Sequence, residues 1–267
     1  MGIYLEEHPP AVPQYRATRR AAVTGAIVLH TAEVPADLTP PDTGAERVAS
    51  FIASRTTSGS YHSVVDSDSV VRVGRYEWEM FHEGTGGNRW SLGLSFACEA
   101  AQWPVVPERW FLGALAQGAA EAANMARWVY ATVGVTIPAR WISAADYRNG
   151  RPGFVGHGQL DPGRRSDPGL GFPWSEFLDA YAAAVRGTLT AGSITEDNDV
   201  PPLAFHQAMA DIDQLYLAYR GTLPGDQERR AWARDLAEKM FAKGEAALPT
   251  LAYIEWALRR ETVQGAA

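Results

Sequence analysis

Short apolar runs alternate with longer amphipathic segments across residues 20–187, and this alternation restricts the fold more than any other feature of the chain. The apolar runs are rich in β-branched residues and are bounded by Gly, Pro, Ser and Asp, as is typical of strands. Two of them are separated only by Ser67 and Asp68, which favours a hairpin. The predicted strands are residues 23–30, 61–66, 69–73, 92–98 and 154–157.

The amphipathic segments place apolar residues at helical spacing between and after these runs. We predict helices over residues 46–55, about 108–132 and 174–186, with Gly134 and Gly187 as the stops of the last two. Strands that alternate with helices indicate an α/β fold, in which a central mixed β-sheet is flanked by helices.

Composition changes along the chain suggest four parts. Residues 1–20 lack clear periodicity and are predicted to be an N-terminal extension, and residues 21–188 form the α/β domain. Residues 189–202 are small, acidic and end in Pro, as linkers do. Residues 203–267 show helical patterns with Gly and Pro breaks, so we expect a small all-α C-terminal domain.

Charge and cysteine content exclude several classes of protein. The 267 residues carry 24 Lys and Arg against 31 Asp and Glu, a net charge of −7 without a basic run, so nucleic acid is not an expected partner. No apolar stretch is long enough to insert into a membrane, and the N-terminus lacks the pattern of a signal peptide. Cys98 is the one cysteine, so we expect no internal disulfide and a place for Cys98 in the core.

Four of the six histidines lie where a predicted strand meets a loop: His30, His62, His82 and His157. Asp167 follows His157 by ten residues, on a segment rich in Pro and Gly that can fold back. Zinc takes His nitrogen and carboxylate oxygen as ligands, and catalytic sites use three protein ligands. These residue types therefore suggest a zinc site in the first domain.

The same residues resemble, in order, the zinc-dependent N-acetylmuramoyl-L-alanine amidases of the amidase-2 group. This group includes phage endolysins and is related to the peptidoglycan recognition proteins. The resemblance covers about residues 22–186 and rests on five short segments taken together. These segments are residues 28–32, 61–62, 81–84, 88–94 and 157–169.

The resemblance implies a site and a reaction. His30 and His157 match the two histidine ligands of zinc, and Asp167 matches the third ligand. Tyr61 matches a tyrosine near the zinc, and Arg165 stands where most members have a catalytic lysine. The implied reaction is hydrolysis of the amide between N-acetylmuramic acid and the L-alanine of the stem peptide, with Zn²⁺ activating water and polarising the carbonyl.

Two positions depart from the family pattern. Arg165 keeps the positive charge of the lysine but cannot give up a proton at neutral pH, so only an electrostatic role carries over. Ser95 stands where relatives place a Glu that can act as a base. That role would pass to Asp167, to another carboxylate such as Glu83 or Glu99, or to Tyr61, and the sequence does not choose among them.

Other polar residues near these motifs are candidates for substrate contact. We expect Asn88 and Trp90 to bind substrate. His82 is expected to bind substrate or to support another residue of the site, although a purely structural role for it is nearly as well founded. His62 is expected to be structural. The Gly-rich residues 84–87 lack the features of a phosphate-binding loop and are expected to form a flexible rim of the cleft.

These inferences together predict a peptidoglycan hydrolase of the phage endolysin type. We expect it to be made in the host cytoplasm and released to the cell wall by a separate lysis factor. The C-terminal domain would be a wall-binding module, a simple helical bundle, or an element for dimerisation or spacing. The alternatives are a binding-only peptidoglycan recognition protein and a virion-associated wall-degrading component. The sequence is silent on oligomeric state.

Overall fold

The computed structural model describes residues 4–187, and residues 4–169 and 173–187 lie in one compact unit. The predicted linker (189–202) and the predicted helical domain (203–267) lie outside the described residues, as does nearly all of a second unit. No helix among residues 4–187 has the length and apolar character needed to cross a membrane.

A five-stranded mixed sheet forms the centre of the fold, as predicted. Its order is β4-β3-β6-β2-β7, with only the β3–β4 pair antiparallel. The strands are β2 (Ala26–Thr31), β3 (Ser63–Val65), β4 (Val70–Arg72), β6 (Ser91–Phe96) and β7 (Gly153–Gly156). A separate antiparallel pair joins β1 (Tyr15–Arg16) to β5 (Glu79–Met80).

Helices cover both faces of the sheet. The α-helices within residues 4–187 are α1 (Tyr4–Glu7), α2 (Gly44–Ser54), α3 (Glu108–Val133), α4 (Ala144–Arg148), α5 (His157–Leu160) and α6 (Trp174–Val185). The predicted helices over residues 46–55, 108–132 and 174–186 are α2, α3 and α6, and the three short helices were not predicted.

Alternate residues of the inner strand β2 face opposite layers, because side chains alternate along a strand. On one face, Phe96 and Phe154 of the neighbouring strands pack edge-on against Phe177 of α6. On the other face, Ala26 and Val28 pack with Val155 and with residues of α4 and α5. His30 continues this second series, so its side chain emerges on the face that carries α4 and α5.

A second apolar cluster lies on that face at the other side of the sheet. Val48, Ala49 and Ile52 of α2 pack there against Val64 of β3. Phe51 has the helical spacing of an apolar stripe with Val48 and Ile52, but it is 59% exposed. Phe51 lies next to the buried face formed by Val48, Ala49 and Ile52, because α2 buries only one narrow face.

The turn between β3 and β4 forms without the glycine that hairpins favour. The carboxylate of Asp66 accepts hydrogen bonds from the backbone N–H groups of Asp68 and Ser69 and so closes the turn. A second oxygen of Asp66 accepts from the N–H of Ala45 at the start of α2. One aspartate therefore replaces the missing glycine and ties the hairpin to the helix.

The N-terminal segment packs closely onto the rest of the described unit. Leu5 is fully buried, and its N–H donates to the carbonyl of Val73. Arg20 pairs with the buried carboxylate of Glu79 at 2.6 Å. Arg19 donates to the backbone carbonyls of Tyr76, Asn88 and Ser91.

Candidate metal centre

Parallel strands bring the first candidate ligands to one edge of the sheet. His30 is the penultimate residue of β2, and His157 directly follows β7, which pairs with β2. Ser95 lies beside His30 on the other neighbour, β6. The carboxyl ends of these strands therefore form the floor of the site, where ligands of open α/β sheets commonly bind.

Asp167 reaches the same point from the loop that follows α5. Its Oδ2 lies 3.0 Å from Nδ1 of His30 and 3.2 Å from Nδ1 of His157. The three residues are buried, and their ligand atoms all lie within 4.8 Å of one another. Two ligands bound at zinc distances with a tetrahedral angle are about 3.3 Å apart, close to the separations seen here.

The contact at Nε2 of His157, on the side of the ring away from Asp167, shows whether His30, His157 and Asp167 suit a cation. The Nε2 of His157 lies 3.0 Å from the backbone carbonyl oxygen of Glu83, which can only accept a hydrogen bond. A neutral His157 therefore carries its proton on Nε2 and turns the lone pair of Nδ1 towards the carboxylate of Asp167. Two lone pairs in contact repel unless a cation lies between them, so the donor set fits a metal ion.

The charge states of the buried groups also suit metal binding. Burial lowers the pKa of His30 to about 4, and the positive charge of Arg165 acts in the same direction, whereas the contact with Asp167 opposes the shift. Burial alone would raise the pKa of Asp167, but its contacts with His157 and His30 hold this pKa well below its usual range. A neutral imidazole and an ionised carboxylate are the forms that coordinate metals.

Tyr61 and Arg165 lie close to the trio. The ring of Tyr61 is 5.0 Å from that of His30 between centroids. Burial and the negative charge of Asp167 raise the pKa of Tyr61 to about 12, so its hydroxyl keeps its proton at neutral pH and can donate. The side chain of Arg165 is exposed, and its charge acts on both His30 and Tyr61.

The four candidates for a base are in different surroundings. The carboxylate of Glu83 accepts hydrogen bonds from Thr85 Oγ1 and from the N–H of Gly87, so it is bound to residues of its own loop. Glu99 caps the short 3-10 helix Ala100–Gln102. Tyr61 retains its proton, which leaves Asp167 as the ionised group at the centre of the trio.

The three expected substrate contacts have distinct environments. His82 is buried, and its Nδ1 lies 3.3 Å from Nε2 of His30. Asn88 Oδ1 accepts from the backbone N–H groups of His82 and Glu83. Trp90 is half-buried beneath the guanidinium of Arg89, which lies 4.5 Å from its ring centroid.

Loop and core residues near the site also have defined partners. Gly87 in the Gly-rich loop is buried and begins a 3-10 helix (Gly87–Arg89). His62 accepts from the N–H of Gly93 at Nδ1 and lies 3.1 Å from the carbonyl of Trp78 at Nε2, contacts that suit a structural residue. Cys98 is fully buried, as expected, and burial raises the pKa of its thiol.

Sequence reasoning missed several residues that hold the site. The carbonyl of Glu83, the hydroxyls of Ser91 and Tyr147 and the guanidinium of Arg19 all take part through contacts between distant segments. A backbone carbonyl has no residue-type signal, and single Ser, Tyr and Arg residues are too common to stand out.

No protein-family profile and no curated protein sequence matches this chain. Solved structures do show similarity. The catalytic domain of XlyA is 19% identical with a TM-score of 0.40, over 64% of this chain and 95% of that one. A mutant endolysin from Bacillus subtilis is 20% identical with a TM-score of 0.39, over 64% and 94%. The Staphylococcus aureus hydrolase AmiA is 12% identical with a TM-score of 0.43, over 68% and 83%.

Proposed function

We propose that this protein is a zinc-dependent peptidoglycan hydrolase that cleaves the amide bond between N-acetylmuramic acid and the L-alanine of the stem peptide. The observation that carries the proposal is the convergence of His30, His157 and Asp167, buried and within 4.8 Å of one another. The order of motifs around these residues resembles that of the amidase-2 group, and this resemblance is the basis for proposing which bond is cleaved.

His30, His157 and Asp167 would hold the ion through Nδ1, Nδ1 and a carboxylate oxygen. A zinc ion in such a site activates a water molecule and polarises the scissile carbonyl. Asp167 is the base candidate that lies in the site in its ionised form. Catalytic zinc sites use three protein ligands, the number that these residues would supply.

Charge that develops on the carbonyl oxygen needs fixed donors. Arg165 would keep its positive charge throughout the reaction, and its exposed side chain would be accessible to a polymeric substrate. The protonated hydroxyl of Tyr61 donates a second hydrogen bond. In this proposal Arg165 stabilises charge and takes no part in proton transfer.

The biological setting we propose is that of a phage endolysin. The protein would be made in the host cytoplasm and would reach the wall after a separate lysis factor opens the membrane. Residues 203–267 would supply a further module, with wall binding as its proposed role.

The decisive experiment uses the full-length protein on purified peptidoglycan. We expect one zinc ion per chain, new L-alanine amino termini, no new reducing sugar ends, and loss of activity on chelation with recovery on adding zinc. The variant His157→Ala should lose both zinc and activity. New reducing ends or activity that ignores chelators would refute the amidase. Peptidoglycan binding without zinc or cleavage would instead support the binding-only alternative.

A further inference from the structure

A chain of side-chain contacts runs from Tyr147 of α4 to the ligand His30. The hydroxyl of Tyr147 lies 3.0 Å from Ser91 Oγ, and Ser91 Oγ lies 3.2 Å from His82 Nε2. His82 Nδ1 in turn lies 3.3 Å from His30 Nε2. Ser91, His82, Tyr147 and His30 are all buried, so these groups have one another as partners.

The direction of each hydrogen bond follows from one carbonyl. Ser91 Oγ lies 2.9 Å from the carbonyl oxygen of Gly87, which can only accept, so the single proton of Ser91 points there. Ser91 must then accept from both Tyr147 and His82. A neutral His82 therefore carries its proton on Nε2 and presents the lone pair of Nδ1 to His30.

The proton position of His30 follows from that of His82. Because Nδ1 of His82 accepts, Nε2 of His30 must donate, and a neutral His30 keeps the lone pair of Nδ1 for the side that faces Asp167. The opposite tautomer would place a proton on the atom that must bind the metal. A ligand histidine is oriented by the hydrogen bond at its other nitrogen.

We propose that His82 is a positioning residue: together with Ser91 and Tyr147, it fixes His30 in the tautomer that binds the metal. This inference rests on the proposed zinc function and replaces direct substrate contact as the main role of His82. The loop from His82 to Ser91 also provides the Glu83 carbonyl for His157, so one loop sets the proton position of both histidine ligands.

The loop is built to keep its shape. Asn88 Oδ1 accepts from the N–H groups at His82 and Glu83, and Arg19 donates to the carbonyls of Asn88 and Ser91. The ring of His82 rests against Gly93 of β6, where a Cβ would lie 2.6 Å from the ring. His82 therefore has little freedom to turn away from His30.

Zinc affinity of the full-length protein, measured by competition with a chromogenic chelator, tests the proposal without reference to activity. We expect His82→Ala to weaken zinc binding by about 10–100-fold, the range for loss of such a partner. His82→Asn should recover part of this loss, because its amide oxygen can accept near the position of Nδ1. His8→Ala, which removes an exposed histidine, is the control and should bind zinc like wild type.

Kinetics and magnetic resonance separate the proposal from its rivals. A residue that only contacts substrate would raise KM in His82→Ala and leave zinc affinity unchanged, and that result would overturn the proposal. In wild-type protein with labelled histidines, long-range proton–nitrogen spectra should show His82 and His30 protonated on Nε2. A proton on Nδ1 of His82 would overturn it even if the variants failed to fold.

The two proposals fail in different ways. If wild-type protein binds no zinc, the hydrolase proposal fails first. If wild type binds zinc and His82→Ala, folded by circular dichroism, binds it equally well, only the role of His82 fails.

Discussion

The carboxylate of Asp167 lies 3.0 Å from the imidazole of His30, although 137 positions separate the two residues in the chain. A second imidazole, that of His157, contacts the same oxygen atom. One acidic side chain thus joins a candidate ligand on the inner strand β2 to a candidate ligand that directly follows the edge strand β7. Loss of Asp167 should therefore affect metal binding before it affects the fold.

Asp167→Asn keeps the size of the side chain but removes its negative charge. We expect zinc affinity to fall by more than the about 10–100-fold that an outer hydrogen-bonding partner contributes, because a direct ligand is lost. Zinc content after dialysis and chelator competition measure this. Asp161→Asn, on the same loop and paired with the exposed Arg164, is the matched control. If Asp167→Asn bound one zinc ion per chain with the affinity of wild type, the assignment of Asp167 as a ligand would be wrong.

Arg165→Ala should lower kcat by about 10²–10³-fold, the cost of removing one donor to a developing oxyanion, and leave zinc content unchanged. Arg165→Lys should retain most of the activity because it keeps the charge. The adjacent Arg164→Ala serves as the control for loss of a nearby exposed guanidinium. A wild-type kcat in Arg165→Ala would show that the charge at this position has no part in the reaction.

The metal-free protein should lose stability as the pH falls from about 6.5 to 4. Burial lowers the pKa of His30 from 6.5 to about 4 and holds the pKa values of His62 and His82 well below 6.5. In this range the unfolded chain takes up protons that the folded chain does not, at up to about 1.4 kcal/mol per pH unit for each histidine. Asp167, with its lowered pKa, adds a further loss only below pH 3.8.

Urea unfolding in the presence of chelator, at intervals from pH 7.5 to 4.5, measures this dependence. A free energy of unfolding that stays constant over the whole range would contradict it. Added zinc should raise stability most near neutral pH, since protons compete with the metal for the same nitrogens.

Arg19→Ala should lower the free energy of unfolding by about 3 kcal/mol or more. The variant leaves the carbonyls of Tyr76, Asn88 and Ser91 without the hydrogen bonds that the guanidinium donates to them. Hydrogen exchange should also quicken in the loop that carries Asn88 and Ser91. Arg151→Ala removes an exposed pair with Asp146 and should cost about 0–1 kcal/mol. If the free energy of unfolding fell equally in Arg19→Ala and Arg151→Ala, the N-terminal segment would have no structural role of this kind.

Gly93→Ala introduces a methyl group that meets the ring of His82 at 2.6 Å. The ring must move away from His30, so we expect weaker zinc binding although no ligand and no hydrogen-bonding group is altered. Gly163→Ala, where a Cβ meets nothing within 4 Å, is the matched control. Unchanged zinc affinity in Gly93→Ala would show that the contact between His82 and His30 has no influence on the metal.

Much of the fold could be predicted because it follows from local pattern. The apolar run that ends at His30 and the long helix after Pro107 were both recognised, since burial imposes a period of two on strands and 3.6 on helices. The pair β1–β5 and the short helices α4 and α5 were not recognised. Elements of two to five residues carry too few positions to show a period.

The site divides in the same way. His30, His157 and Asp167 could be proposed from residue type and motif order, because metal ligands come from few kinds of side chain. Local pattern in the chain was thus sufficient for the layers of the fold and for the identity of the candidate ligands. The proton positions on the two candidate histidine ligands depend on the Glu83 carbonyl and on the contacts of His82 with Ser91 and Tyr147. They also depend on Arg19, whose hydrogen bonds fix the loop that carries these groups. These partners meet only when distant segments pack together, and a hydrogen bond depends on distance and direction, which spacing along the chain does not encode.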